Sequence, residues 1–134
     1  MPAVSSVRVL IVEDHLLFRH FISSKLERNG FQIICEVSDG LEAVQKAEEL
    51  EPDLVLLDIG LPSLNGIEVA RRIRKLAPEC KILFLSQESS AEMVQEALNL
   101  GAMGYVFKED AGSDLLAAVE AARQGRHFNS RGLC

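Results

Sequence analysis

Five short aliphatic runs, separated by segments of helical period, leave this chain few folds to choose from. The runs are residues 7–12, 31–37, 54–57, 81–85 and 104–107. The first, third and fourth are nearly unbroken in β-branched and aliphatic residues, which is the pattern of parallel strands covered on both faces. A strand with one wet face would alternate apolar and polar residues instead. Between the runs, Phe18, Phe21, Ile22 and Leu26 recur on one helical face, as do Leu115, Ala118, Val119 and Ala122. Shorter stripes run through Leu41, Val44 and Ala47, through Val69, Ile73 and Leu76, and through Val94, Ala97, Leu98 and Gly101. Gly30, Gly101 and Gly125 stand where helix C-termini need them, and Asp39 and Ser89 where N-caps belong.

A strand–helix unit repeated in this way, with right-handed crossovers, becomes a doubly wound α/β sheet. The expected fold is a flavodoxin-like (βα)5 parallel sheet of order 2-1-3-4-5. In that topology a ligand sits beyond the carboxyl ends of the strands, where the first and third strands part. The polar residues can be read against that rule.

The residues that follow the strands are Glu13 and Asp14 after the first, Asp58 after the third, Ser86 after the fourth and Lys108 after the fifth. Taken singly, each has an ordinary explanation. Asp14 could cap the next helix, Glu13 could be a solvated loop charge, Ser86 a loop residue and Lys108 a surface ion-pair partner. Taken together they put acid, acid, hydroxyl and ammonium at the inner strand ends of one crevice, which chance rarely does. Three converging carboxylates repel one another unless a cation neutralises them. Oxygen ligands with no His or Cys ligand among them favour a hard divalent ion such as magnesium.

Composition narrows the function further. The chain has 134 residues, enough for one domain and one core. With 48% apolar and only 5% aromatic residues, that core must be aliphatic. A formal net charge of −6 argues against nucleic-acid binding by this domain alone. The basic run Arg71, Arg72, Arg74 and Lys75 reads as a solvated helix face, because Ile73 in its midst belongs to the apolar stripe. Cys35, Cys80 and Cys134 form no C-x-x-C pair and suggest neither a disulfide framework nor a thiolate site. Cys35 and Cys80 are expected as small buried hydrophobes and Cys134 as exposed. With no leader and no membrane-length apolar run, a soluble, cytoplasmic protein is expected.

The segments Val12-Glu13-Asp14-His15, Leu57-Asp58-Ile59-Gly60-Leu61-Pro62, Asn65-Gly66-Ile67-Glu68 and Gly104-Tyr105-Val106-Phe107-Lys108 resemble the receiver domain of bacterial two-component response regulators. The resemblance spans residues 7–125, leaving residues 126–134 as the start of a linker. The Glu-Asp-His start and the Gly-Arg-His-Phe-Asn-Ser end are most similar to regulators that carry a LuxR-type helix-turn-helix output domain. The resemblance implies that Asp58 takes a phosphoryl group from a sensor histidine kinase to give an acyl phosphate. It also implies Mg2+ held by Asp14 and Asp58, by Glu13 through water and by the backbone carbonyl of Gly60. Lys108 and Ser86 would contact the phosphoryl oxygens, and Tyr105 would turn inward as Ser86 moves. DNA contact would belong to an output domain outside this chain, with a homodimer as a further option.

This sequence departs from the family pattern at three places. Glu109 follows Lys108 where a proline is common, so a trans peptide is expected there. Gln87 stands after the hydroxyl position where Ala or Gly is common, and its longer side chain is expected to restrict access by small phosphodonors. Gly60 offers no side chain to shield an acyl phosphate, which points to fairly rapid hydrolysis unless Gln87 or Leu61 supplies the shield. Two other readings of the same fold stay in view. A phosphatase would usually need a second acid two residues after the nucleophile, and that position is Gly60. A pseudo-receiver acting without phosphate must explain an apparently complete site. The expectation is therefore a phosphoacceptor switch rather than an enzyme.

Overall fold

All residues of the third and fifth aliphatic runs are buried, and both form strands covered from each side. The computed structural model describes residues 7–87 and 90–129. Along the chain lie β1 (Arg8–Val12), α1 (Leu16–Arg28), β2 (Gln32–Val37), α2 (Gly40–Leu50), β3 (Leu54–Asp58) and α3 (Gly66–Leu76). These are followed by β4 (Lys81–Ser86), α4 (Ala91–Asn99), β5 (Gly104–Phe107), a 3-10 turn (Lys108–Asp110), α5 (Ala111–Arg123) and β6 (Phe128–Asn129). All strand pairs are parallel, in the order β2-β1-β3-β4-β5-β6.

The first five strands follow the expected flavodoxin-like order, and the sixth is an addition. Phe128 and Asn129 pair with Gly104 and Tyr105, so the sheet continues into the segment read from sequence as linker. Two residues carry no period, and nothing in the sequence pattern marks them as a strand. Residues 130–134, including Cys134, lie outside the described residues, as does Ser89.

Alternate residues of each strand feed two separate cores. Val9, Ile11, Leu54, Leu56, Leu83, Leu85 and Val106 pack against Ile22 and Leu26 of α1 and Leu115, Ala118, Val119 and Ala122 of α5. On the other face, Leu10, Val12, Val55, Leu57, Phe84 and Phe107 meet Ala43 and Ala47 of α2, Ile73 of α3 and Ala97 of α4. Burying each large aliphatic side chain contributes roughly 1.5–3 kcal/mol. Cys80 is buried as expected, and burial pushes its thiol up to about 12, while Cys35 packs at the edge of the same core.

Some stripe residues stay outside. Phe21, Leu41 and Leu76 are 39%, 52% and 46% exposed, because each lies where its helix face turns away from the sheet. Helix ends follow local chemistry. Asp39 accepts from Leu41 N at 2.7 Å, and Ser90, next to the expected Ser89, accepts from Met93 N at 3.1 Å. Gly30, Gly101 and Gly125 take left-handed backbone at φ 91°, 90° and 79°, as helix ends require. The basic run on α3 is turned to its own acid: Arg71 and Arg72 pair with Glu68 at 2.5 and 3.2 Å.

Candidate functional site

Strand register assembles the site. Val12 of β1 lies beside Leu57 of β3, so the next residues, Glu13 and Asp58, come side by side at the carboxyl end of the sheet. Asp58 in turn lies beside Leu85, and Ser86 beside Phe107, which brings Ser86 and Lys108 to the same edge. Four groups far apart in sequence thus meet because parallel strands end in step.

Glu13 is fully buried, and its N–H extends the β1–β2 ladder by donating to Val37 O at 3.0 Å. Its Oε2 accepts from His15 N at 3.0 Å and from Lys108 Nζ at 2.8 Å. A solvated loop charge is therefore excluded for this residue. Asp58 is 5% exposed; its Oδ1 accepts from Gly60 N at 3.2 Å and its Oδ2 from Lys108 Nζ at 3.3 Å. Asp14 is exposed at the mouth, and carboxylate oxygens of Glu13, Asp14 and Asp58 lie within 4.8 Å of one another.

Burial raises the pKa of Glu13, and the charge on Asp58 adds to it, while bonds from Lys108 and His15 N–H pull the other way. Burial likewise raises Asp58, opposed by Lys108 and the Gly60 N–H. For Lys108, burial disfavours the ammonium, but its bonds to Glu13 and Asp58 outweigh that and hold it above the ordinary lysine range. The site therefore gathers negative charge that a single lysine does not cancel.

The residues present fit a hard cation. Glu13 Oε1 is buried and has no hydrogen-bond partner among the described residues, so one oxygen of this cluster is left for another ligand. The donor set is all carboxylate, which suits magnesium rather than a softer metal.

The surrounding backbone is equally constrained. A Cβ at Gly66 would overlap the carbonyl oxygen of Asp58, so only glycine lets α3 start against the end of β3. Gly66 N donates to Ile59 O at 2.8 Å, closing the loop that carries Gly60. On the other side His15 caps α1 by accepting from Phe18 N at 3.3 Å. The resulting cleft, about 900 Å3, is bordered by Asp14, Phe18, Asp58, Gly60, Gln87 and Lys108. A second cleft of about 860 Å3 opens at the amino ends of the strands beside Val7, Leu54 and Lys81, away from the carboxylate cluster.

The sequence profile of the response regulator receiver domain matches residues 9–120. The chain belongs to this family. It is 40% identical over 117 residues to the transcriptional regulatory protein PdtaR of Mycobacterium tuberculosis, covering 86% of this chain and 56% of that one. It is 33% identical over 119 residues to the DNA-binding transcriptional activator EvgA of Escherichia coli, covering 89% and 58%. Among solved structures, a LuxR-family two-component response regulator from Aurantimonas superposes with a TM-score of 0.88 at 31% identity, covering 95% and 91% of the two chains. The receiver domain thus spans little more than half the length of these curated relatives.

The remaining candidate site residues all lie among the described residues. Ser86 is 3% exposed at the end of β4 and lines the cleft with the exposed Gln87. Gly60 is exposed, and a Cβ there would meet nothing within 4 Å, so the glycine is not demanded by packing. Tyr105 is 1% exposed, with ring centroids of Phe84 and Phe107 at 6.1 and 5.5 Å. Its ring already lies inward, whereas the resemblance implied an inward turn only as Ser86 moves. Cis peptide bonds are absent among the described residues, so Lys108–Glu109 is trans as expected. Phe18 belongs to the apolar stripe of α1 and also borders the cleft, and its place four residues after the acidic pair is the sequence signal for that.

Proposed function

We infer that Asp58 is a phosphoacceptor and that this receiver domain switches an output surface when Asp58 is phosphorylated. The observation that carries this reading is the buried Asp58 carboxylate at the cleft, with Lys108 Nζ at 3.3 Å and two further carboxylates within 4.8 Å. A carboxylate oxygen of Asp58 attacks phosphorus as the bond from phosphorus to a phosphohistidine nitrogen breaks. The electron pair returns to the imidazole of the donor, a sensor histidine kinase. Such transfer depends on in-line placement and on neutralising the equatorial oxygens more than on proton chemistry.

Asp14 and Asp58, Glu13 through water and the Gly60 carbonyl would hold magnesium, which would supply positive charge to offset the negative charge of the phosphoryl group. Receiver domains bind Mg2+ at an acidic pocket of this kind. Lys108 offers an ammonium and Ser86 a hydroxyl to the phosphoryl oxygens. Movement of Ser86 toward the phosphoryl group would change its packing beside β5, which is the route to Tyr105 and to the face of α4, β5 and α5.

Transcription control is the output that the relatives support, and the DNA binding named for EvgA would belong to a region other than this receiver domain. Gly60, in place of a second acid, favours an acceptor over a phosphatase. The test is mass spectrometry of the intact chain after acetyl phosphate and Mg2+, with Asp58→Ala alongside. A phosphoryl adduct on the wild type alone supports the reading; equal adducts on both proteins remove Asp58 as acceptor.

A further inference from the structure

An ammonium has three N–H donors, and the two carboxylate contacts of Lys108 use two of them, to Glu13 at 2.8 Å and Asp58 at 3.3 Å. An aromatic ring takes up a further side, since Nζ lies 5.1 Å from the centroid of Phe18. That is within the range at which the negative face of a ring attracts a cation, and the attraction grows where water is excluded. The Lys108 side chain is only 14% exposed.

Phe18 is itself held in place. Its N–H donates to the His15 cap at 3.3 Å, and its ring lies 6.0 Å from that of Phe21. The neighbouring pair Lys25 and Phe21 shows the contrast: both are on α1, four residues apart, at 5.9 Å. The Phe18–Lys108 contact instead links α1 to the turn after β5, across the cleft that Asp58 borders.

The two kinds of partner differ chemically. Glu13 and Asp58 can be drawn to a metal or to phosphorus, whereas a phenyl ring is neutral and stays available to the ammonium throughout. We propose that Phe18 is a positioning residue for Lys108, its ring face keeping the ammonium over Asp58 and thereby setting the rate at which Asp58 is phosphorylated. This rests on the reading of Asp58 as acceptor.

The test compares wild type, Phe18→Leu, Phe18→Tyr, Lys108→Met and the Phe18→Leu/Lys108→Met double variant, as full chains, for the rate of phosphorylation by acetyl phosphate at saturating Mg2+. Phe18→Leu keeps apolar bulk but removes the ring face, and is expected to slow the reaction about three- to tenfold. Phe18→Tyr keeps the wild-type rate within about twofold. In the Lys108→Met background the leucine substitution has no further effect, because its target is gone. A wild-type rate for Phe18→Leu, or an equal slowing by it in the Lys108→Met background, overturns the proposal. A second readout is independent of phosphoryl chemistry: carbon relaxation at the Lys108 ε-methylene, which should report a more mobile side chain in Phe18→Leu. Unchanged mobility there also overturns the proposal. A wild type that gains no adduct would sink the acceptor reading, with the relaxation measurement still deciding whether Phe18 holds Lys108.

Discussion

The ammonium of Lys108 donates to the buried Oε2 of Glu13 at 2.8 Å, joining residues 95 positions apart. This bond ties the turn after β5 to the end of β1 and sets the cation beside Asp58. Removing one partner of such a pair leaves a buried charge uncompensated, which typically costs about 3–5 kcal/mol. Asp58 accepts from the same lysine at 3.3 Å, yet burial still holds its carboxyl above the ordinary range, with Lys108 and the Gly60 N–H opposing that rise.

Asp58→Asn should therefore stabilise the fold. Burial raises the Asp58 pKa, meaning that at neutral pH the ionised form is less at home in the folded chain than in the unfolded one. An amide of the same shape removes that charge and still accepts a hydrogen bond. A higher melting temperature is expected without Mg2+. Thermal melts in chelator check it, and a lower melting temperature for Asp58→Asn would contradict the electrostatic account.

Asp39 predicts an acid-side effect elsewhere. Ser63 Oγ donates to its Oδ1 at 2.5 Å and Leu41 N at 2.7 Å, and together these hold its carboxyl below the ordinary value of 3.8. A depressed folded pKa contributes stability above the unfolded value, lost as pH falls through the folded one. Asp39→Ala should melt lower than wild type at neutral pH, with the gap narrowing below pH 3.8. Melting curves across that range decide, and a gap that stays constant would show that the charge is irrelevant.

Tyr105 carries structural weight as well as a proposed switching role. Its ring is 1% exposed between Phe84 and Phe107, so Tyr105→Ala should cost about 3–5 kcal/mol by loss of packing and the cavity left behind. Urea denaturation measures this. A cost under about 1 kcal/mol would mean that the ring is not packed as described.

Gln87 is the residue expected to govern access. It is exposed on the cleft that Gly60 also lines, and a side chain at Gly60 would meet open space. Gln87→Ala should raise the rate of phosphorylation by acetyl phosphate, and an unchanged rate would end that idea. The acyl phosphate should be short-lived in the wild type because Gly60 offers no shield. A long lifetime that persists in Gln87→Ala would count against that account.

Much of this was legible because burial on both faces writes itself into sequence as unbroken aliphatic runs. The order of the first five strands and the convergence of Glu13, Asp58, Ser86 and Lys108 follow from that pattern. What stayed hidden depends on distance or on brevity. The Lys108–Glu13 bond and the Phe18 ring over Lys108 join separate elements, and no local period encodes them. Strand β6 is two residues long, too short for any alternation. Apolar residues at helix ends misled in the other direction: Leu41 and Leu76 fit a stripe but face water, since a stripe tells which face is apolar and not how far the sheet extends under it.

The most direct measurement on the central claim locates the phosphoryl group chemically. Borohydride reduces an acyl phosphate to an alcohol, so chain treated with acetyl phosphate and Mg2+ can be reduced, digested and sequenced by tandem mass spectrometry. The account predicts reduction at Asp58, absent without phosphodonor and absent in Phe107-Lys108 peptides or at Glu13 and Asp14. Reduction at Asp14 with Asp58 untouched would contradict it.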